Sequence, residues 1–175
     1  MKVLTPSLIL SIAGLHPWML VRLVLAALLG SFVGYERERT GKPAGLRTHG
    51  MVALGAALFT VVSLNGFGPG SDTTRVAAMI VSGIGFIGAG AILHERGGVQ
   101  GLTTAASLWV TAAIGIAVGV GMFLMSVVTT ILVFVLLRFG PKVTPKTDGG
   151  DRMPTSASDP SGTASKGGVY EQHGN

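Results

Sequence analysis

The chain has no cysteine among its 175 residues, which excludes disulfides, thiolate metal centres and cysteine nucleophiles. Charge is also scarce: 12% of residues are Asp, Glu, Lys or Arg, where an ordinary soluble domain has about a quarter. Between His49 and Leu137 only Asp72, Arg75, Glu95 and Arg96 are charged. A water-exposed helix needs a polar face, and the runs between these residues lack a charged one. The net charge of +5 comes without a basic helix or an aromatic-basic surface, so nucleic acid is not an expected partner. The histidines at positions 16, 49, 94 and 173 are dispersed and no nucleophile–base motif is visible. Neither an enzymatic activity nor a cofactor is expected, and no metal site is assigned.

What the chain does have is apolar length, with a mean hydropathy of +0.59. Residues 76–93 run eighteen positions without a charge, about 27 Å at the helical rise. Hydropathy predicts five spans at 18–35, 50–64, 76–93, 102–119 and 121–137. The second is short and is expected to extend toward Thr48 or Phe67. The last two are joined at Gly119–Gly121, either as an antiparallel hairpin or as one long tilted helix. Residues 1–17 read as a short outer-face segment, broken from the first span at His16-Pro17. From Gly140 onward more than half the residues are Gly, Pro, Ser or Thr, with few large apolar side chains. Such a segment buries too little surface to offset chain entropy, so 140–175 is expected to be a disordered cytoplasmic tail. The fold class is therefore an all-α integral membrane protein, a five-transmembrane-helix bundle with a disordered C-terminal tail, whose partner is the lipid bilayer.

Positive charge sets the orientation. Arg37, Arg39, Lys42 and Arg47 fall in the first connection, Arg96 in the third, and Arg138, Lys142, Lys146, Arg152 and Lys166 in the tail. The other side has Lys2 and Arg75, and Arg22 lies just inside the outer end of the first span, where it can snorkel. The N-terminus is expected outside and the C-terminus inside.

Small residues form stripes at helical spacing: Ala26, Gly30 and Gly34; Ala78, Ser82, Gly85 and Ala89; and Thr104, Ser107, Thr111 and Gly115. In lipid such stripes let helices approach closely, and packing is the default reading, with a substrate path as the alternative. Gly83, Gly85, Gly88 and Gly90 open a second possibility for the third span, a kink or broken helix of the kind transporters use. Trp109 lies well inside the fourth span; either its indole N–H finds Ser82, or it fills space against the glycines.

By this topology two polar connections face one compartment. The first holds Glu36, Arg37, Glu38, Arg39 and Arg47; the second holds His94, Glu95, Thr103 and Thr104. Glu36 and Glu38 sit at a helix C-terminus, where the macrodipole disfavours negative charge, so neighbouring arginines or a bound cation must compensate. Thr103 is the expected N-cap of the fourth helix, whose N-terminus is otherwise suited to an anion. No acidic relay runs through the spans, which counts against a simple Mg²⁺ channel.

Taken together, GSFVGYERERTGKPAGLRTHGMVALGAALF (30–59), SGIGFIGAGAIL (82–93) and GLTTAASLWVTAAIGIAVG (101–119) closely resemble the MgtC/SapB family over about residues 19–137. The resemblance implies a bacterial protein of the cytoplasmic membrane, associated with adaptation to low magnesium and, in intracellular pathogens, with survival inside host cells. It implies a regulator acting on another membrane protein more than a magnesium transporter. Some members have a soluble regulatory domain after the last span, and this chain is expected to be of the short form without it. The family's functional acidic residue matches Glu95. The polar position that is Asn in virulence-linked members is Thr103, and the position that is Cys in some of them is Val110. A modulator of a membrane partner is therefore the leading expectation, a small Mg²⁺ or ion transporter the alternative, and a homo-oligomer held by the Ala26/Gly30/Gly34 face a third.

Overall fold

The computed structural model describes residues 16–67, 71–95 and 98–140, with the side chains of 94 and 95 outside the description. The expected outer segment (save 16 and 17), Arg96, Gly97 and the tail beyond Gly140 therefore lie outside the described residues. The chain separates into units Met1–Pro145 and Lys146–Asn175, and every described residue belongs to the first.

Five helices are present among the described residues: α1 (Pro17–Arg39), α2 (Leu46–Asn65), α3 (Thr74–Gly90), α4 (Leu102–Val120) and α5 (Phe123–Phe139). α1, α2 and α4 are long and apolar enough to cross a membrane, while α3 and α5 have 17 residues each. α1 starts on Pro17, whose fixed φ suits the first helical turn, and closes where Thr40 turns its N–H and hydroxyl back to the Glu36 carbonyl. The second helix does extend past the predicted start, to Leu46, because Glu38 accepts the Leu46 N–H at 3.0 Å.

α2 is the centre of the bundle. Its Ala53 and Ala57 pack with Ala26 and Val33 of α1 and Ile114 and Val118 of α4. Its Ala56 packs with Ile84 of α3 and Leu108 and Ala112 of α4. Small residues set these contacts. A Cβ added at Gly30 would lie 2.6 Å from the His49 carbonyl oxygen and from the Ala53 Cβ; one at Gly115 would lie 2.4 Å from the Ala53 carbonyl. The Ala26/Gly30/Gly34 face expected to hold an oligomer is thus spent inside the molecule. It is buried against α2, which corrects that reading.

Two further expectations are corrected. α3 is not broken at its glycines; it runs unbroken and stops at Gly90, three residues before the predicted end. The segment beyond it is a short antiparallel hairpin of β1 (Leu93–Glu95) and β2 (Gly98–Gln100), with Glu95 opposite Gly98. The hairpin folds back so closely that a Cβ on Gly101 would lie 1.9 Å from the Ala91 carbonyl, and Gly101 adopts φ 87. Gly101 is consequently the N-cap residue of α4, displacing Thr103, which is exposed in the first turn. Between α4 and α5 the chain makes a tight reversal: Met122 N–H bonds the Ala117 carbonyl and Gly121, at φ 101, bonds that of Val118. The hairpin reading of that junction holds.

Candidate functional site

The charged groups gather at the two ends of the bundle. At one end Arg22 does not snorkel outward. Its Nη1 donates to the Gly119 carbonyl at 2.6 Å, and its guanidinium lies 4.2 Å from the Trp18 ring centroid. A cation there meets the negative end of the α4 dipole and neutralises carbonyls the helix leaves unpaired.

The opposite end holds the polar cluster. Glu36 and Arg37 end α1, His49 opens α2, and Thr104 and Ser107 open α4, so three helix termini converge. Glu36 is 1% exposed and Arg37 6% exposed, values that charged residues reach only when partnered. Arg37 Nη2 donates to Thr104 Oγ1 at 2.5 Å. The nearest cation to Glu36 is Arg138, at the end of α5, whose Nε stands 4.0 Å from Oε1. Glu36 Oε2 and Arg37 Nε are buried without a hydrogen-bond partner. Of the two carboxylates that needed compensation, Glu38 finds it in the α2 N-terminus and Glu36 in Arg138.

His49 is the residue the sequence reading passed over. It is wholly buried, with Nδ1 3.0 Å from the Gly45 carbonyl and Nε2 3.1 Å from Ser107 Oγ. Ser107 Oγ in turn lies 2.8 Å from the Thr104 carbonyl, and Thr111 Oγ1 donates to the Ser107 carbonyl at 2.7 Å. A signal was available: a histidine one turn into an apolar helix that also opens with an arginine, four residues after a glycine.

The sequence-derived residues therefore divide. Arg37, Thr104, Ser107 and Thr111 join one buried network, with Glu36 beside it. Arg39, Arg47 and Thr103 are exposed at the same end and make no part of it. Glu95 is placed by its backbone on the hairpin leading into α4, hence at this end. Ser82 and Gly85 face outward on α3, so Ser82 is no partner for Trp109. The half-exposed indole instead lines an open apolar groove of about 320 Å³ with Ile84, Gly85, Gly88 and Ala89, and nothing lies within 4 Å of where a Gly85 Cβ would be, so it does not fill the space against that glycine either. No group of three or more His, Asp or Glu suited to a metal occurs among the described residues.

The MgtC family model matches residues 23–145. A YhiD protein of Escherichia coli, provisionally named a magnesium transporter, is 44% identical over 126 residues, which cover 68% of this chain and 59% of that protein. MgtC of Brucella abortus is 50% identical over 108 residues, or 62% of this chain and 45% of its own length. An uncharacterized Synechocystis protein is 48% identical over 116 residues, 66% of this chain and 49% of the relative. The chain thus spans about half to three-fifths of the length of the curated relatives it matches. No solved structure matches it. The chain belongs to the MgtC family and is a multi-pass membrane protein.

Proposed function

From that membership we propose that all five helices cross the membrane, that the polar cluster faces the cytoplasm, and that the protein modulates another membrane protein without conducting an ion itself. A 17-residue helix covers about 25 Å, at the short limit for a span, so α3 and α5 fit with modest local thinning. The positive charges of the first connection and of Arg138 lie at the end assigned to the cytoplasm.

One observation carries the modulator reading. The hydroxyls that would line a path, Thr104, Ser107 and Thr111, are at most 3% exposed and engage backbone carbonyls, His49 or Arg37. Ser107 and Thr111 donate to carbonyls of α4 itself and Thr104 accepts from Arg37, so these hydroxyls are already engaged, and the charged residues of the described helices stay near helix ends. A conduit needs polar groups available along its length. The exposed Arg39, Arg47 and Thr103, with Glu95 on the adjacent hairpin, supply a surface on which a partner's soluble edge can rest.

Transport is the second reading, favoured by the provisional name of the YhiD relative. Purified full-length protein in liposomes loaded with a Mg²⁺ indicator separates the two. No flux above empty liposomes is expected for the parent chain or for Glu95→Ala. Flux in the parent that disappears in Glu95→Ala overturns the modulator reading.

A further inference from the structure

The hydrogen atoms around His49 do not suffice for a single arrangement. The Gly45 carbonyl only accepts, so Nδ1 must carry a hydrogen to use the 3.0 Å contact. Ser107 has one hydroxyl hydrogen and two neighbours in range, the Thr104 carbonyl at 2.8 Å and His49 Nε2 at 3.1 Å. If the hydroxyl donates to Nε2, the ring is neutral. If it donates to the Thr104 carbonyl, Nε2 must itself carry a hydrogen to bond Oγ, and the ring is an imidazolium.

We infer that His49 and Ser107 form a proton-binding site, in which one hydroxyl rotation accommodates either the neutral or the doubly protonated ring. The balance is simple: imidazole takes one proton at Nε2, no covalent bond breaks, and the Ser107 hydrogen turns from nitrogen to carbonyl. Ordinary buried histidines lose a hydrogen bond in one of their two states; this one keeps both. The inference goes beyond the modulator reading and stands on the network alone.

The charged surroundings give proton uptake a consequence. α1 brings Arg37, bonded to Thr104 on the same turn of α4, and Glu36, the one buried carboxylate among the described residues. It also brings Glu38, engaged at Leu46. α5 brings Arg138 to Glu36, α2 carries the exposed Arg47, and the hairpin ahead of α4 carries His94 and Glu95. α4 presents no charge, and the charge on α3, Arg75, lies at the opposite end. A proton on His49 therefore places a second cation beside the network that holds Arg37. The Arg37–Thr104 bond that ties α1 to α4 weakens in that state, so the end of the bundle loosens as pH falls.

The test uses the full chain with His16, His94 and His173 changed to Gln, leaving His49 as the one imidazole. The protein is labelled with ¹⁵N in the ring and studied by solid-state NMR in phosphatidylethanolamine–phosphatidylglycerol bilayers. At about pH 8 the expected state has Nδ1–H and a bare Nε2, and a ring with hydrogen on both nitrogens gains population as the pH is lowered. An Nε2–H tautomer at the alkaline end, or a neutral ring across the whole range, overturns the inference. Ser107→Ala in the same background removes the acceptor that the imidazolium uses, and the doubly protonated population at acid pH should fall about tenfold. An unchanged population in folded Ser107→Ala removes Ser107 from the site. The tautomer measurement needs no variant at Ser107, so it decides the matter if that variant fails to fold.

Discussion

Two helices of this protein carry nearly the same sequence signature and put it to opposite use. α1 has Ala26, Gly30 and Gly34 at spacing four; α3 has Ala78, Ser82, Gly85 and Ala89 at similar spacing. The first stripe is buried against α2 so tightly that Gly30 and Gly34 leave no room for a methyl group. The second is exposed, with Gly85 and Ala89 at the edge of the open groove toward Trp109, and Gly85, like Gly83 and Gly90 beside the stripe, has nothing within 4 Å of where a Cβ would be. α3 holds to α4 through Ile84 and Gly88, the residues between the striped positions. Small residues at helical spacing mark a face that permits close approach. Which face is used is decided by what the opposing helix offers, here the alanines of α2.

That contrast is sharpest under substitution. Gly115→Leu drives a side chain into the Ala53 carbonyl, backbone that has nowhere to go, and should cost more than about 4 kcal/mol, seen as loss of the monodisperse folded species in detergent. Gly85→Leu meets open space and should change the same readout by less than about 0.5 kcal/mol. Equal damage from both would mean that the α3 face is occupied by a partner in the folded protein.

The arginines at the Glu36 end offer the same comparison in charge. Arg37→Ala removes the bond to Thr104 and leaves that buried hydroxyl without its donor, a loss of about 2 kcal/mol in thermal unfolding. Arg47→Ala, at an exposed position, should leave unfolding within about 0.5 kcal/mol while altering activity in cells. Equal loss of membrane-inserted protein in both variants would make Arg47 structural as well.

The smallest effect belongs to the loosely packed start of α3. Asp72 accepts the Thr74 hydroxyl at 2.5 Å and its N–H at 3.0 Å, and these bonds hold its carboxyl below the usual carboxylate range. The lowered folded value means that the stability these two bonds give is fully present above about pH 4 and is lost as pH falls through the folded value. Protection of the Thr74–Val76 amides, as the factor over the intrinsic exchange rate at each pH, should therefore fall on acidification in the parent chain, and should be low and flat with pH in Asp72→Ala.

Much of this was legible from hydropathy and spacing. Charge breaks located the five apolar helices to within a few residues, because nothing else in the chain competes with that signal. Alternating the helices put Arg37 and Thr104 at one end, and spacing put Ser107 and Thr111 on one face of α4; that the two groups form a single network is visible only in the packed structure. The end of α3 was not legible, since the hairpin depends on Gly101 meeting Ala91, a contact between residues ten apart that periodicity does not see. Nor was the role of His49: its partner Ser107 is 58 positions away and became visible only when α2 and α4 packed together. The oligomer face was misplaced for the reason given by the two stripes, that spacing carries no address.

The placement of both polar connections at one end of the bundle is the claim on which the site depends, and the absence of native cysteine makes it directly measurable. Arg39→Cys and Thr103→Cys, both at exposed positions, should react with a membrane-impermeant maleimide from the same side of sealed vesicles, the cytoplasmic one. Labelling of the two from opposite sides would contradict it.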